Sequence, residues 1–209
     1  MQTVALATTV LGQGTGFVTA GSERLRSKSL DRNSYNSGDW FNAIRWNCRS
    51  GNGFGHGLPP APDNADKWPY ARPLLADPAL VPDCGEIAAS GERYADLLAV
   101  RWSSPVFALP TAEEVQRRLA FPLAGPSATP GVITMTLDAR GVDRRWKSIV
   151  VVFNATPQEQ TQRVDALAGA RVALHPVQAK GADAVVRRAR FEAGTFTVPA
   201  RTVAVFVQT

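Results

Sequence analysis

The chain has 209 residues, of which 44% are hydrophobic and 20% are charged, a balance typical of one large or two small globular domains. This composition excludes a disordered tail and a collagen-like repeat, and no apolar run approaches the roughly 18 residues of a membrane span. The formal net charge of +5 arises in residues 105–209, where the arginines are scattered without interleaved aromatic side chains, so neither a nucleic-acid nor a membrane partner is expected.

The first predicted element is a helix near the N-terminus. Residues from Val4 to Leu11 keep an apolar face at helical spacing, and Gly12 ends the pattern. This start has no basic region and no small-residue cleavage site, so we expect no signal peptide, and the localisation stays open. We interpret the segment as continuing an element that begins upstream. A compact apolar stretch at residues 15–20 then predicts a buried parallel strand, as in an α/β fold.

Residues 22–85 show no sustained hydrophobic period. They are punctuated by prolines and glycines, among them Gly51, Gly53 and Gly55. Loops of such length are uncommon and are usually functional or disordered. Trp40, Trp46 and Trp68 argue against disorder, because disordered segments are poor in aromatic residues. We therefore predict an ordered loop at the carboxyl end of the strand, where α/β barrels place their binding groups.

A second helix is predicted after this loop, and strands follow it. The apolar stripe of this helix runs from Ile87 through Leu97 to Trp102. Thr111 and Glu114 then open a short helix with a capping box. Strand-like segments separated by turn residues follow at 119–123, 132–138, 148–154, 162–167, 171–175, 184–190, 195–198 and 202–207. Their regular spacing is typical of an antiparallel sandwich.

These patterns predict two domains, with a boundary near Pro105. Residues 1–104 are expected to be an α/β portion, and residues 105–209 an all-β antiparallel sandwich.

Most common catalytic and cofactor patterns are absent from the sequence. His56 and His175 lack carboxylates or cysteines at metal-ligand spacing, so we expect no metal site, and we interpret His175 as structural. The glycine string at residues 12–16 precedes its predicted strand, whereas a dinucleotide-binding fingerprint follows one, so no cofactor is expected. Cys48 and Cys84 are too few for a disulfide framework and leave a single disulfide open.

A group of polar and aromatic residues in the long loop is the remaining candidate site. Its members are Asp31, Arg32, Asn33, Asp39, Trp40, Trp46, Asn64, Asp66 and Trp68. A sugar presents hydroxyls at its edge and apolar C–H groups on its faces, so a sugar site needs charged hydrogen-bonding groups beside an aromatic plane. Arg32 can donate to vicinal hydroxyls and Asp66 can accept from them. The alternative is that Arg32 and Asp66 pair with each other only to hold the loop.

Long stretches of the chain closely resemble the pullulanase-type α-1,6-glucosidases, the starch-debranching and limit dextrinase-like enzymes of the α-amylase clan. The stretches that carry the resemblance are Arg26-Ser-Lys-Ser-Leu-Asp-Arg-Asn-Ser-Tyr-Asn-Ser-Gly-Asp-Trp-Phe-Asn42, Gly57-Leu-Pro-Pro60, Asp63-Asn-Ala-Asp-Lys-Trp-Pro69, Ser103-Ser-Pro-Val-Phe107, Pro130-Gly-Val-Ile133, Ile149-Val-Val-Val-Phe-Asn154, Leu174-His-Pro-Val-Gln178 and Val198-Pro-Ala-Arg-Thr-Val-Ala-Val-Phe206. They cover nearly the whole sequence.

The resemblance implies the end of a (β/α)₈ barrel, comprising its last helix, strand and helix, followed by a β-sandwich. It also implies retaining hydrolysis of α-1,6 linkages in pullulan, amylopectin or limit dextrins, which requires two carboxyl groups about 5–5.5 Å apart. In the family these groups lie upstream of the region that this chain matches, so no catalytic residue is assigned. Arg32 and Asp66 occupy positions that in the family contact the glucose on the non-reducing side of the cleaved residue.

The chain departs from the family pattern at the predicted strand. Where the family reads Gly-Ile-Pro-Phe-Phe-His-Ala-Gly-Asp-Glu, this sequence has Gly14-Thr-Gly-Phe-Val-Thr-Ala-Gly-Ser-Glu23. Glycine within a strand costs backbone entropy and packing, so a weakened strand is expected here.

The function expected from this resemblance is that of the C-terminal part of an α-1,6-glucan hydrolase, inactive as an isolated chain. Its expected partners are an α-glucan substrate and an upstream barrel segment. Two alternatives remain open: a non-catalytic α-glucan-binding module, and a structural remnant of a truncated gene.

Overall fold

The computed structural model describes residues 1–49, 54 and 56–209 and divides into two compact units. Met1–Phe17 and Glu92–Thr209 form the first unit, and Val18–Gly91 form the second. The predicted boundary near Pro105 stays a prediction. The glycines Gly51, Gly53 and Gly55 that punctuate the predicted loop lie outside the described residues.

Two antiparallel sheets form the centre of the first unit. The strands are β1 (Leu119–Ala120), β2 (Val132–Asp138), β3 (Ser148–Asn154), β4 (Gln160–Arg163), β5 (Val172–Leu174), β6 (Arg190–Glu192), β7 (Thr195–Val198) and β8 (Thr202–Gln208). One sheet has the order β1-β2-β3-β8-β5 and the other the order β4-β7-β6. Val150, Val152 and Phe206 of the larger sheet pack with Phe196 and Val198 of the smaller one in a common core. The antiparallel pairing confirms the antiparallel sheet predicted for the C-terminal half, which also contains short helices.

The central strands are buried on both faces. All the residues of β8 but the last are buried, as are all those of β3 but the first. Because side chains alternate along a strand, the residues between Val150 and Val152 and beside Phe206 point away from the smaller sheet. Helix α1 (Gln2–Val10) contacts both strands, and its Val4, Leu6, Ala7 and Val10 are buried. Apolar burial therefore continues on this side of the sheet, which explains why these strands read as continuous apolar runs.

The remaining helices of the described residues are short, apart from the helix Cys84–Trp102. They are α2 (Gly38–Asn42), α3 (Ala61–Asn64), α4 (Trp68–Ala76), α5 (Cys84–Trp102), α6 (Ala112–Arg118) and α7 (Pro176–Lys180). The Thr111 side chain accepts a hydrogen bond from the Glu114 N–H and so caps α6, as the sequence predicts. Arg101 of α5 donates to the carbonyls of Val10 and Gly12 at 2.7 and 2.8 Å, near the end of α1. No helix among the described residues is long and apolar enough to cross a membrane.

Three predictions about local structure are wrong. Residues 15–19 form no strand, because no neighbouring strand pairs with them within the described chain, and Phe17 is 85% exposed. Residues 184–190 form a 3₁₀ turn at Val186–Arg188 before β6 instead of a strand. The long segment predicted as a loop contains α4, a helix that the sequence conceals because Pro69 and Pro73 lie within it.

His175 is structural, as predicted, and it is buried at the start of α7. Its Nδ1 accepts a hydrogen bond from the Val177 N–H at 3.2 Å, so the ring proton resides on Nε2, 3.0 Å from the Ser103 hydroxyl oxygen. Ser103 in turn donates to the Val100 carbonyl at 2.6 Å. Burial, with a smaller contribution from the charge of Arg145, lowers the pKa of His175 to about 4. The residue is therefore neutral at physiological pH.

Asn154 ties the end of β3 to the turn between β7 and β8. Its side-chain nitrogen donates to the carbonyls of Gln158, Val198 and Pro199, and its oxygen accepts from the backbone N–H and the hydroxyl of Thr156. The side chain is fully buried. The Asn154-Ala-Thr156 sequence is therefore a structural turn in which the asparagine side chain is buried.

Candidate functional site

The candidate site lies in the second unit and is centred on an ion pair between Arg32 and Asp66. Arg32 Nη2 lies 2.7 Å from Asp66 Oδ1. The side chains are 49% and 58% exposed, respectively. An exposed ion pair of this kind contributes little to stability. Because about half of each side chain faces solvent, both charged groups remain accessible to other hydrogen-bonding groups.

The backbone of Asp63 fixes the orientation of the Arg32 guanidinium. Arg32 Nε donates to the Asp63 carbonyl at 2.9 Å, and Nη2 contacts the same oxygen. The planar guanidinium is therefore held on one edge by a carbonyl and a carboxylate. Asn33 adds a contact to the same short segment, because its side-chain nitrogen donates to Asp63 Oδ2 at 3.3 Å.

Asp66 is held as an anion by two cations. Lys67 Nζ lies 3.2 Å from Asp66 Oδ2, on the oxygen that Arg32 does not contact. The hydrogen bond with Lys67 is the largest influence and lowers the pKa of Asp66; desolvation opposes it, and the charges of Arg32 and Lys67 lower the pKa further, so that the overall direction is downward. Ionised at neutral pH, this carboxylate is a hydrogen-bond acceptor and not a proton donor.

Behind this exposed pair lies a buried polar contact between Asp31 and Asn64. Asn64 is 2% exposed, and its side-chain nitrogen donates to Asp31 Oδ1 at 2.9 Å. Partial burial would raise the pKa of Asp31, but hydrogen bonds from Ser37, Asn64 and the Asn33 N–H, with the charge of Lys28, lower it overall. Asp31 is therefore a structural anion beneath the site.

The turn that precedes Arg32 has a left-handed backbone. Lys28, Ser29 and Leu30 have φ values of 50°, 52° and 60°. For residues with a side chain this conformation costs about 1–2 kcal/mol each, and it persists only where the surroundings hold it. Leu30 N–H donates to the Ser27 carbonyl and Asp31 N–H to the Lys28 carbonyl, so the segment is one tight left-handed turn that ends at Asp31.

The aromatic residues of the predicted constellation have separate partners. Trp40 is 58% exposed, its indole N–H donates to the His56 carbonyl at 2.9 Å, and its ring lies 4.8 Å from that of His56. The Arg24 guanidinium lies over Trp46, which is 70% exposed. Trp68 donates to the Pro59 carbonyl at 2.9 Å. The first two rings therefore provide exposed apolar surface in this unit, whereas Trp68 anchors the segment before α3.

A disulfide joins Cys48 to Cys84, the first residue of α5. It closes the chain segment that carries Asp63, Asn64 and Asp66. The sequence left this pairing open. Closing a segment of about this length restricts the unfolded chain and contributes about 4 kcal/mol in the loop-entropy model.

The structure brings together five members of the predicted constellation: Asp31, Arg32, Asn33, Asn64 and Asp66. Asp39, Trp40 and Trp46 make none of the contacts described for this cluster. Sequence reasoning missed Asp63, Lys67 and Ser37, which contact Arg32, Asp66 and Asp31, respectively. The spacing of Asp63 and Asp66 around a helical turn is the signal that could have indicated Asp63.

Another pair of carboxylates lines a cleft of about 250 Å³ in the first unit. Asp96 accepts a hydrogen bond from the Ala182 N–H at 2.8 Å, and Asp183 accepts from the Val185 N–H at 2.9 Å. Asp183 also lies 3.7 Å from Arg93 Nε. These carboxylates fix backbone turns, so we assign this cleft no catalytic role. No group of three or more potential metal ligands occurs among the described residues.

The chemistry available in the second unit is therefore recognition of neutral polar groups. Arg32 provides fixed N–H donors and Asp66 provides charged acceptor oxygens, and hydrogen bonds to charged groups are the stronger kind. A pair of adjacent hydroxyls, one accepting and one donating, matches this arrangement.

Comparison with known proteins gives a consistent result. Residues 49–209 match the family described as alpha-1,6-glucosidases, pullulanase-type, C-terminal. The chain is 45% identical to Pullulanase 1, chloroplastic, of Arabidopsis thaliana over an alignment of 208 positions, which covers 95% of this chain and 22% of that protein.

Solved structures agree with the sequence comparisons. PulA from Klebsiella oxytoca has a TM-score of 0.88 and 32% identity, and the match covers 100% of this chain and 20% of that one. The maltotriose complex of PulA from Klebsiella pneumoniae has a TM-score of 0.87 and 33% identity, with coverage of 99% and 22%. The chain thus spans about a fifth of the length of these relatives.

Proposed function

Because this chain belongs to the pullulanase-type α-1,6-glucosidases, whose C-terminal region it matches, we propose that its Arg32–Asp66 pair binds α-glucan for a debranching hydrolase. The bound residue is the glucose on the non-reducing side of the cleaved one. Arg32 donates to one hydroxyl, and Asp66 accepts from a neighbouring hydroxyl. The maltotriose complex of the Klebsiella pneumoniae relative supports a glucan as the ligand.

The observation that carries the proposal is that the Arg32–Asp66 ion pair is exposed and that each of its side chains is oriented by a further contact. Arg32 is fixed by the Asp63 carbonyl and Asp66 is flanked by Lys67, so the pair keeps its geometry while half of each side chain faces solvent. Fixed donors and acceptors lose little conformational entropy when a ligand binds. An ion pair with a purely structural role would not need side chains that are accessible to a ligand.

The bond-breaking chemistry is assigned to other parts of such an enzyme. Retaining hydrolysis of the α-1,6 linkages of pullulan, amylopectin or limit dextrins needs a carboxylate nucleophile and a protonated carboxyl group about 5–5.5 Å apart. The pKa values of Asp31 and Asp66 are both lowered. Neither residue is therefore suited to be the general acid, which must hold a proton before it donates it. Because the family resemblance places both the nucleophile and the general acid outside the region that this chain matches, we propose that this chain supplies substrate contacts and no catalytic residue.

We further propose that residues 1–104 form the last helix, strand and helix of a (β/α)₈ barrel. Helix α1 and helix α5 are the two helices, and residues 15–20 become a strand when an upstream barrel segment provides a pairing edge. The place of this segment directly after α1 and its exposed Phe17 support the assignment. Residues 105–209 are the accompanying sandwich domain.

A second candidate function is a non-catalytic α-glucan-binding module. It is favoured by one observation: Arg32, Asp63, Asn64 and Asp66 all belong to a single compact unit, so the contacts described for the site need no residue from elsewhere. A third hypothesis is that the chain is a structural remnant, in which the Arg32–Asp66 pair only holds the loop and binds no ligand.

Titration of the 209-residue chain with maltotriose separates these readings. We expect measurable heat of binding, with affinity lowered about tenfold or more in Arg32→Ala and in Asp66→Ala, because each loses a charged hydrogen-bonding group. Arg163→Ala removes an exposed arginine that pairs with Asp165 in the first unit and is the matched control. Equal affinity in all four proteins would contradict the proposed site, and absence of binding to the wild-type chain would favour the remnant.

A further inference from the structure

Asn64 uses both polar atoms of its side chain to connect two segments of the candidate site. Its nitrogen donates to Asp31 Oδ1 at 2.9 Å and to the Pro60 carbonyl at 2.8 Å. Its oxygen accepts from the Arg32 backbone N–H at 3.0 Å. Because the side chain is 2% exposed, these partners cannot be replaced readily by water.

The segment that Asn64 contacts on one side is the left-handed turn before Arg32. The positive φ values of Lys28, Ser29 and Leu30 are energetically unfavourable. Contacts with other residues must therefore hold the turn in this conformation. Asn64 contacts the two residues that follow this turn, Asp31 and Arg32. It therefore sets the direction in which the chain leaves the strained turn.

The segment on the other side carries Asp66. Asn64 is the last residue of α3, and Ala65–Lys67 form the 3₁₀ turn that follows directly. The Asp63 carbonyl that orients the Arg32 guanidinium precedes Asn64. A single amide side chain thus lies between the backbone of Arg32 and the short segment that carries its two side-chain partners.

We propose that Asn64 is a positioning residue for glucan binding, which sets the spacing of Arg32 and Asp66 without touching the sugar. This inference rests on the proposed function for its consequence in binding. Its structural part, the dependence of the Arg32 backbone on Asn64, is measurable without any ligand.

Asn64→Asp provides a test with a pH signature. The substitution replaces the nitrogen that donates to Asp31 with an oxygen, so two carboxylates then face each other at hydrogen-bond distance. Such a pair shares one proton and has one strongly raised pKa. The charged groups around it are Lys28 and Asp31 on one segment, Arg32 beside them, and Asp63, Asp66 and Lys67 on the other.

The expected result differs between the two variants of Asn64. At pH 7.5, we expect maltotriose affinity to fall about tenfold or more in both Asn64→Asp and Asn64→Ala. On lowering the pH to 5, the Asp variant regains its donor through the shared proton and recovers affinity, whereas the Ala variant does not. Asn36→Asp makes the same charge change at an exposed residue and is the matched control. Equal, pH-independent losses in Asn64→Asp and Asn64→Ala would indicate a packing role and overturn the proposal.

Amide exchange of the Arg32 N–H, measured by NMR without ligand, keeps the two proposals separate. We expect Asn64→Ala to lower its protection about tenfold, relative to the intrinsic exchange rate, and Asn36→Asp to leave it unchanged. Unchanged protection in Asn64→Ala would overturn the positioning role. If protection falls as expected but the wild-type chain does not bind maltotriose, the proposed function fails and the structural part of the inference stands.

Discussion

Arg32 and Asp66 lie 34 residues apart in sequence, yet their side chains form a hydrogen-bonded ion pair of 2.7 Å. Arg32 follows a strained left-handed turn, and Asp66 lies in a 3₁₀ turn between two short helices. Neither segment is a strand or a long helix, so neighbouring side chains and backbone carbonyls fix the pair.

The shape of the Arg32 side chain is expected to matter as well as its charge. Lysine keeps the positive charge but loses the planar fork that contacts both Asp63 and Asp66. In Arg32→Lys we expect maltotriose affinity between those of wild type and Arg32→Ala, and a melting temperature within about 2 °C of wild type, because the pair is exposed. Calorimetric titration and thermal unfolding measure the two effects. Wild-type affinity in the lysine variant would show that the fork is not used.

The Cys48–Cys84 disulfide is expected to stabilise the second unit selectively. Replacing both residues with alanine increases the conformational entropy of the unfolded chain. The free energy of unfolding of residues 18–91 should therefore fall by about 3–4 kcal/mol. Hydrogen exchange followed by mass spectrometry resolves the two units. Peptides from Val18–Gly91 should lose protection, whereas peptides from β3 and β8 should keep it. A reductant should reproduce this pattern in the wild type and have no effect on the double variant; equal loss across the chain would contradict the prediction.

Protonation of His175 is expected to destabilise the first unit in mild acid. The pKa of this residue is lowered from 6.5 to about 4, first by burial and then by Arg145, so the unfolded chain binds the proton more tightly. Stability is therefore full above pH 6.5 and falls as the pH drops towards 4, by about 3 kcal/mol in total.

His175→Asn isolates this effect from other titrating groups. Asparagine keeps an acceptor for the Val177 N–H, as a capping residue does, but has no proton to bind in this range. Urea unfolding between pH 7 and 4 should give a shallower loss of stability in the variant than in the wild type. Parallel curves for the two proteins would show that His175 does not cause the acid sensitivity.

Pullulan hydrolysis by the pure chain is expected to be undetectable. Arg32 and Asp66 bind substrate in the proposed function, and no residue of this chain is proposed as nucleophile or general acid. A reducing-sugar assay on pullulan measures this directly, with an intact pullulanase as the positive control. Release of reducing sugar that disappears in Asp66→Asn would contradict the assignment, because Asp66 would then take part in bond cleavage.

Much of the first unit was predictable from local pattern. β2, β3 and β7 have the predicted limits, because they are bounded by turn residues and most of their buried residues are apolar. Helix α5 has a clear apolar stripe. The strand expected at residues 15–20 failed because a parallel strand exists only through its neighbours, which local sequence does not contain.

Several residues of the candidate site could be predicted from the sequence, but their spatial arrangement could not. Arg32 and Asp66 were selected through the family resemblance, and their pairing was one of two open readings. The left-handed turn at Lys28, Ser29 and Leu30 has no sequence signal, since none of these residues is glycine, and Asn64, which contacts the two residues after Leu30, lies 32 and 33 residues away from them in sequence. Helix α4 was missed because prolines mask it.

The most direct measurement of the central claim is an NMR titration of the isotope-labelled chain with maltotriose, observing the side-chain Nε–H of each arginine. If this chain binds glucan through the Arg32–Asp66 pair, the Arg32 signal and the backbone amides of Ala65–Lys67 should shift together and saturate at one dissociation constant. Shifts confined to Arg93 and the residues of the Asp96–Asp183 cleft, or no shift at Arg32 at saturation, would contradict it.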